Sequence, residues 1–248
     1  MPRLEEGMEQ HRIGGSNFTF QGTRIDRLGA TEYTLVTIAI DVTGSTSNFA
    51  DELREALIAA VRSCKKSPRA DYLMIRVILF SSSIGVREIH GFKELADIDP
   101  NAYAAFKPDG FTPLYDAAYS GIGAMVDYGA HLMENDYLTN GIIFIITDGG
   151  DNDSKTASPA MIRQKLEEVK LEEKLESLVS ILIGVNARQA KSLLEDFQRE
   201  AGIGKYIDLE DASEGSLAKL AEFVSRSVSS QSQAVGTGGP SQNISAVI

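Results

Sequence analysis

Cysteine is almost absent: Cys64 is the one cysteine in 248 residues, so no internal disulfide can form. It falls within an amphipathic stretch, residues 53–64, and reads as a buried thiol rather than a nucleophile. Histidine is scarce as well. His11, His90 and His131 are scattered and none stands at ligand spacing, which argues against a zinc or histidine-based catalytic centre. Basic charge is in deficit, with 24 Lys and Arg against 35 Asp and Glu and a formal net charge of -11. A surface of that sign repels phosphate backbones, so a nucleic-acid partner is not expected. The densest basic group, Arg62, Lys65, Lys66 and Arg69, sits at the end of an expected helix, where cations complement the helix dipole. No apolar run approaches the ~20 residues that span a bilayer. The first thirty residues open Pro2-Arg3-Leu4-Glu5-Glu6 and hold no continuous apolar core, which argues against a secretory signal, and a cytoplasmic location is expected. No phosphate-binding P-loop or Gly-x-Ser-x-Gly elbow occurs, and Gly121-Ile122-Gly123 lacks the rest of a dinucleotide fingerprint, so helix packing is its expected use.

What is present is ordinary globular material, 43% hydrophobic and 24% charged. Residues 33–42, 73–81, 141–147 and 178–185 are apolar and β-branched without clean alternation, the pattern of central strands covered on both faces. Helical patterns lie between and after them, over residues 49–66, 114–133, 159–175, 187–201 and 214–228. Ser158-Pro159 reads as an N-cap with proline at the first helical position. Residues 86–92 alternate weakly and suit an antiparallel edge strand. This order predicts an α/β fold: a doubly wound, mostly parallel central sheet with one antiparallel edge strand and helices on both faces. Three zones follow. Residues 1–30 form an N-terminal arm in which Phe18-Thr19-Phe20 suits an edge strand, residues 31–228 form the domain, and residues 229–248, rich in Ser, Gln and Gly, form a flexible C-terminal tail. The apolar end, residues 244–248, reads as an unpacked terminus, with a docking peptide as the other option.

Ligands of such sheets bind at the carboxyl ends of the strands. The first strand ends in Asp41-Val42-Thr43-Gly44-Ser45, a carboxylate followed by two hydroxyls at spacings of two, with Gly44 expected to ease a tight turn. A carboxylate at a central strand tip is costly unless something pairs with it. Residues 141–147 end in Asp148-Gly149-Gly150, which brings a second carboxylate to the same rim. Asp109-Gly110-Phe111-Thr112-Pro113-Leu114 offers a third hydroxyl, that of Thr112, just before a helix. Two carboxylates and three hydroxyls make an all-oxygen set of the kind hard cations take. Asp151-Asn152-Asp153 looks like a fragment of a calcium loop but lacks the terminal Glu, and reads as a solvated loop.

Asp41-x-Thr43-x-Ser45, the Gly110-Phe111-Thr112-Pro113-Leu114 loop and Thr147-Asp148-Gly149 together resemble the metal-ion-dependent adhesion site of the von Willebrand factor A family, over most of residues 31–228. The family pattern is Asp-x-Ser-x-Ser; Thr43 keeps the hydroxyl, and its methyl narrows the rotamers. Bacterial relatives often carry an acidic residue where this chain has Gly150, with Asp151 beside it as the candidate to take that role. The resemblance implies a stand-alone, bacterial-type domain. In it Thr43, Ser45 and Thr112 bind a divalent metal directly and Asp41 and Asp148 bind it directly or through water. Mg²⁺ or Mn²⁺ is expected ahead of Ca²⁺. The implied function is a metal-dependent protein–protein interaction module rather than an enzyme, gripping an Asp or Glu of a partner. Such domains are linked to AAA⁺ ATPases or to kinase and phosphatase systems; self-association is a further option, with Glu5, Glu6, Glu9 and Asp26 of the arm as carboxylates that could reach the metal. Two alternatives stand beside it: a Mg²⁺-dependent phosphate-ester hydrolase, which would call for a second acid where Thr43 stands and a strand-tip Lys, and a structural subunit with a degenerate metal site.

Overall fold

The apolar runs become strands because each is covered twice. In the computed structural model, which describes residues 6–172 and 174–237, β3 (Glu32–Asp41) lies between β4 (Leu73–Ser81) and β6 (Leu138–Thr147), parallel to both. Val36, Ile38 and Ile40 face one helical layer with Phe144 and Ile146, while Leu35 and Ala39 face the other with Ile143 and Ile145. The first layer is α1 (Ala50–Lys65) and α5 (Glu214–Thr237); the second is α2 (Leu114–Met133), α3 (Pro159–Leu171) and α4 (Lys191–Ala201). Each fully buried Ile, Leu or Phe in this double sandwich contributes ~1.5–3 kcal/mol. Cys64 is buried in the first layer, and Ser158 caps α3 as its sequence suggests, its Oγ accepting from Met161 N.

The sheet has eight strands among the described residues, in the order β1-β2-β5-β4-β3-β6-β7-β8, with β1 (Met8–Arg12), β2 (Thr19–Thr23), β5 (Gly85–Glu94), β7 (Leu178–Val185) and β8 (Lys205–Leu209). The chain winds from β3 to β4 on one side and returns through β6, β7 and β8 on the other, so the topological switch lies between β3 and β6. β5 is antiparallel to β4, as expected, but is not the edge: the β1–β2 hairpin extends the sheet beyond it. The arm is thus a packed part of the domain. Ile13 is wholly buried against α2 at Gly123, where a Cβ would lie 2.6 Å from the Ile13 Cγ2; Gly121 meets β6 at Ile143 in the same way. Gly14 N donates to Asp127 Oδ2, and the fully buried Arg76 ties the hairpin to the sheet through Glu88, which accepts from both Arg76 Nε and Gln21 N.

The expected flexible tail also needs correction. α5 continues from Val228 to Thr237, and in that stretch Gln231 and Ser232 are buried. Gln231 Nε2 donates to Ser177 Oγ and Gly141 O, and Asn140 Nδ2 donates to Gln231 O. Part of a Ser- and Gln-rich segment is buried here because groups distant in sequence bond the Gln231 amide N–H and backbone carbonyl. The expectation for residues 244–248 lies outside the described residues. No described helix is long and apolar enough to cross a membrane. Gln231→Ala should cost about 1–3 kcal/mol in urea unfolding by orphaning Ser177 and Gly141; an unchanged midpoint would show that the helix extension adds nothing to the fold.

Candidate metal centre

β3 ends on Asp41, which is 1% exposed between the tips of β4 and β6. Its carboxylate is held from two sides: Thr43 N donates to Oδ1 at 2.9 Å and Thr147 Oγ1 donates to Oδ2 at 2.6 Å. Thr43 then leads into a short 3-10 turn, Gly44–Asn48, before α1. The Thr43 and Ser45 hydroxyls are 3.1 Å apart, and Ser45 Oγ donates to Asp148 Oδ1 at 2.9 Å. With the Ser45 proton so used, Thr43 Oγ1 is the donor to Ser45. Hydrogen bonds therefore link the β3 tip to the β6 tip, from Asp41 through the Thr43 backbone N–H to Thr43, Ser45 and Asp148. Gly44 opens that 3-10 turn without a positive φ, and its N–H donates to Gly110 O.

Thr112 reaches this rim by its backbone. Asp109 N donates to Val42 O, and Gly110 adopts φ +77 with Ser82 and Ser83 so close that a Cβ would lie 2.4 Å from Ser82 Oγ, so this position requires glycine. Thr112 N donates to Asn152 Oδ1, and its carbonyl accepts from Asn152 N and Asp153 N. No hydrogen bond joins the buried Thr112 hydroxyl to the other four residues among those described. Asp151 does not take the place of an acidic residue at position 150. Its Oδ1 accepts from Tyr115 N and Ser154 Oγ, which turns it toward the start of α2. The segment after β6 is fastened further by Asp116, buried in α2, whose carboxylate accepts from the backbone N–H groups of Lys155, Thr156 and Ala157. Residues 151–153, read from sequence as a solvated loop, are thus the brace that holds Thr112. Asp116 escaped the sequence reading, and Thr147 and Asn152 entered it only within longer motifs, with no bond to Asp41 or Thr112 expected of them.

Burial pushes the Asp41 pKa up to about 6, with nearby Asp148 raising it further and the bonds from Thr147 and Thr43 opposing. Partial burial raises that of Asp148 too, against the Ser45 bond. Two carboxylates that resist ionisation, with no Lys or Arg acting on either, mark a position where a cation would relieve a real cost. Among the described residues no group of three or more His, Cys, Asp and Glu is arranged to hold a metal, so any ion here depends on hydroxyls for the remaining protein ligands. Two carboxylates with neutral hydroxyls fit a hard divalent cation that keeps some of its waters. Glu9 and Asp26 of the arm are engaged elsewhere, Glu9 beside His11 and His131 and Asp26 with Arg24, so neither is placed to fill this rim from within.

The raised Asp41 pKa sets a sign for stability. The folded state holds this proton more tightly than the unfolded chain, whose value is 3.8, so metal-free stability should fall as pH rises through the window from about 4 to about 6. Urea titrations in EDTA at about pH 4.5 and about pH 7.5 should show a loss of about 2 kcal/mol in the wild type and a smaller one in Asp41→Asn. Parallel behaviour of the two proteins would mean that Asp41 is not strained.

The sequence matches no protein-family model and no curated protein. Solved structures do resemble it. Proximal thread matrix protein 1 from the mussel byssus aligns at 18% identity over 80% of this chain and 47% of its own, with a TM-score of 0.50. The pilus adhesin SpaC from Lactobacillus rhamnosus GG aligns at 10% identity over 90% and 33%, with a TM-score of 0.51. This chain therefore spans about half of the mussel protein and a third of the adhesin. At such identities the likeness carries architecture alone: the chain has the Rossmann-like, doubly wound α/β fold of von Willebrand factor A domains.

Proposed function

We propose that this chain is a protein-interaction module whose rim holds a divalent cation and, through it, a carboxylate of another protein. One observation carries the reading: the buried carboxylate of Asp41 and the half-buried one of Asp148 are bridged through Thr43 and Ser45, and among the described residues no basic side chain pairs with either. Thr43, Ser45 and Thr112 would supply hydroxyl oxygens, and Asp41 and Asp148 would bind directly or through water. Mg²⁺ is favoured by the oxygen-only donors, with Mn²⁺ next, and Ca²⁺ is disfavoured by the small number of carboxylates. When bound, the cation supplies an open coordination position of positive character. Asp151 and Asn152 keep the Thr112 loop in place for it, and the Asp116 clamp keeps their loop in place in turn.

Binding rather than hydrolysis is supported by position 43, where a threonine hydroxyl faces Ser45 in place of an acid two residues after Asp41. The domain is proposed to act in a bacterial cytoplasm, beside an AAA⁺ ATPase or a kinase and phosphatase pair. Mg²⁺ titration by calorimetry should show affinity falling about tenfold or more in Asp41→Ala and in Ser45→Ala. Ser45 is exposed, so its variant separates loss of a ligand from loss of the fold. Wild-type affinity in both variants would end the metal reading. Steady turnover of p-nitrophenyl phosphate that vanished in Asp41→Ala would replace it with the hydrolase.

A further inference from the structure

The rim carries more than oxygens. Phe111 is 65% exposed beside Thr112, Ile84 is 38% exposed just beyond β4, and Leu193 is 59% exposed on α4. Leu193 borders the segment after Asp148, its Cδ1 lying 3.2 Å from where a Cβ of Gly150 would be. Ile84 and Phe111 therefore lie on the β4 side of the candidate centre and Leu193 on the β6 side. Phe111 is held still while exposed: its carbonyl accepts from Ser82 N at 2.8 Å and its N–H donates to Ser82 Oγ at 2.7 Å. Gly110 before it and Pro113 after it restrict the same loop. An exposed aromatic on a loose loop is unremarkable, but one fixed by main-chain bonds is ordered before any contact forms, which lowers the entropy cost of using it as an anchor.

Elsewhere on the chain is a surface with the matching features. Between α1 and α5 opens a groove of about 480 Å³ lined by Ala56, Ala59, Leu217 and Ala218, with the carboxylates of Asp51, Glu52, Glu55 and Glu214 and the single cation Arg62 around them. Alanine at three of the four apolar positions leaves room for a ring. Glu52 lies one turn before Ala56 on the same helix face, roughly 6 Å along the axis. Phe111 and Thr112 are neighbours, roughly 4 Å apart. A carboxylate beside an apolar groove on one surface thus complements, in kind, a cation beside an apolar side chain on the other.

We propose that a second copy of this chain occupies the rim: Phe111 of one copy seats in the α1–α5 groove of the next, while Glu52 or Glu214 at that groove's lip meets the cation held at the rim. The inference rests on the metal reading above and adds the identity of the occupant. A formal charge of -11 on each copy opposes association, and the acidic lip would be repelled by an empty rim carrying Asp41 and Asp148. The contact therefore forms only with the divalent cation in place. The two surfaces are different patches, so the contact is head-to-tail and continues past a dimer unless it closes into a ring.

Sedimentation velocity of the full chain tests this, in Mg²⁺ and in EDTA, with calorimetric Mg²⁺ binding measured alongside. Expected is association in Mg²⁺ that rises with protein concentration and reverses in EDTA. Phe111→Ser and Ala59→Arg, both at exposed positions, should each weaken it about tenfold or more with Mg²⁺ binding unchanged. Mixed together, they should form a one-to-one pair and nothing larger, because one keeps only its groove and the other only its anchor. A wild type that binds Mg²⁺ and stays monomeric overturns this inference while leaving the metal reading standing. Failure to bind Mg²⁺ overturns both. Association that persists in EDTA, or survives Phe111→Ser in Mg²⁺, overturns the inference as well.

Discussion

Everything at the rim follows from the burial of one charge. Asp41 ends a strand that is apolar on both sides, so its carboxylate sits where water cannot solvate it and no basic side chain reaches it. The fold meets this cost in part with hydrogen bonds from Thr43 N and Thr147 Oγ1, which stabilise the ionised form but do not restore an ordinary pKa. The remainder is what a cation would offset. A site with a fully satisfied carboxylate would gain little from metal; this one is left in deficit.

The precision of the rim comes from the sheet beneath it. Asp41 and Asp148 end adjacent parallel strands, so the register of β3 and β6 sets their separation. The third element, the Thr112 loop, belongs to no strand and is fixed by a succession of bonds: Asp109 to Val42, Gly44 to Gly110, Thr112 to Asn152, and Tyr115 to Asp151. Asp116 then anchors the loop after β6 to α2. Loops that would otherwise be mobile are thereby given positions rigid enough for coordination, and the same bonds present Phe111. The wish to hold Thr112 and the exposure of Phe111 are therefore consequences of one loop conformation.

Legibility in the sequence followed the range of the interactions. Continuous β-branched runs identified β3, β4, β6 and β7, because a strand buried on both faces has no polar side to show. The order Asp41, Thr112, Asp148 at strand–helix transitions pointed to one rim of the sheet, where Asp41, Thr43, Ser45 and Asp148 meet. β1 and β8 went unread: Lys205–Leu209 is short and half polar, burying only Ile207 and Leu209, and Met8–Arg12 gains its order from a hairpin docked on α2. Residues 229–237 looked too polar to bury, yet Gln231, Ser232 and Ala234 are buried, with Asn140, Gly141 and Ser177 meeting Gln231 there. Asp151 looked like a spare ligand and is a brace, since the donors it satisfies lie in α2 and in its own loop.

By itself the sequence determined the alternation of strands and helices, the parallel sheet, and the choice of carboxylate and hydroxyl residues at its carboxyl rim, because periodicity and residue chemistry are local properties. Only the tertiary structure decided which oxygens meet, how far burial raises Asp41, that Thr147 bonds Asp41 and Asn152 bonds Thr112, and that Phe111 stands in the open. Those facts depend on strand register and on hydrogen bonds between segments far apart in the chain, and a local pattern contains no information about either.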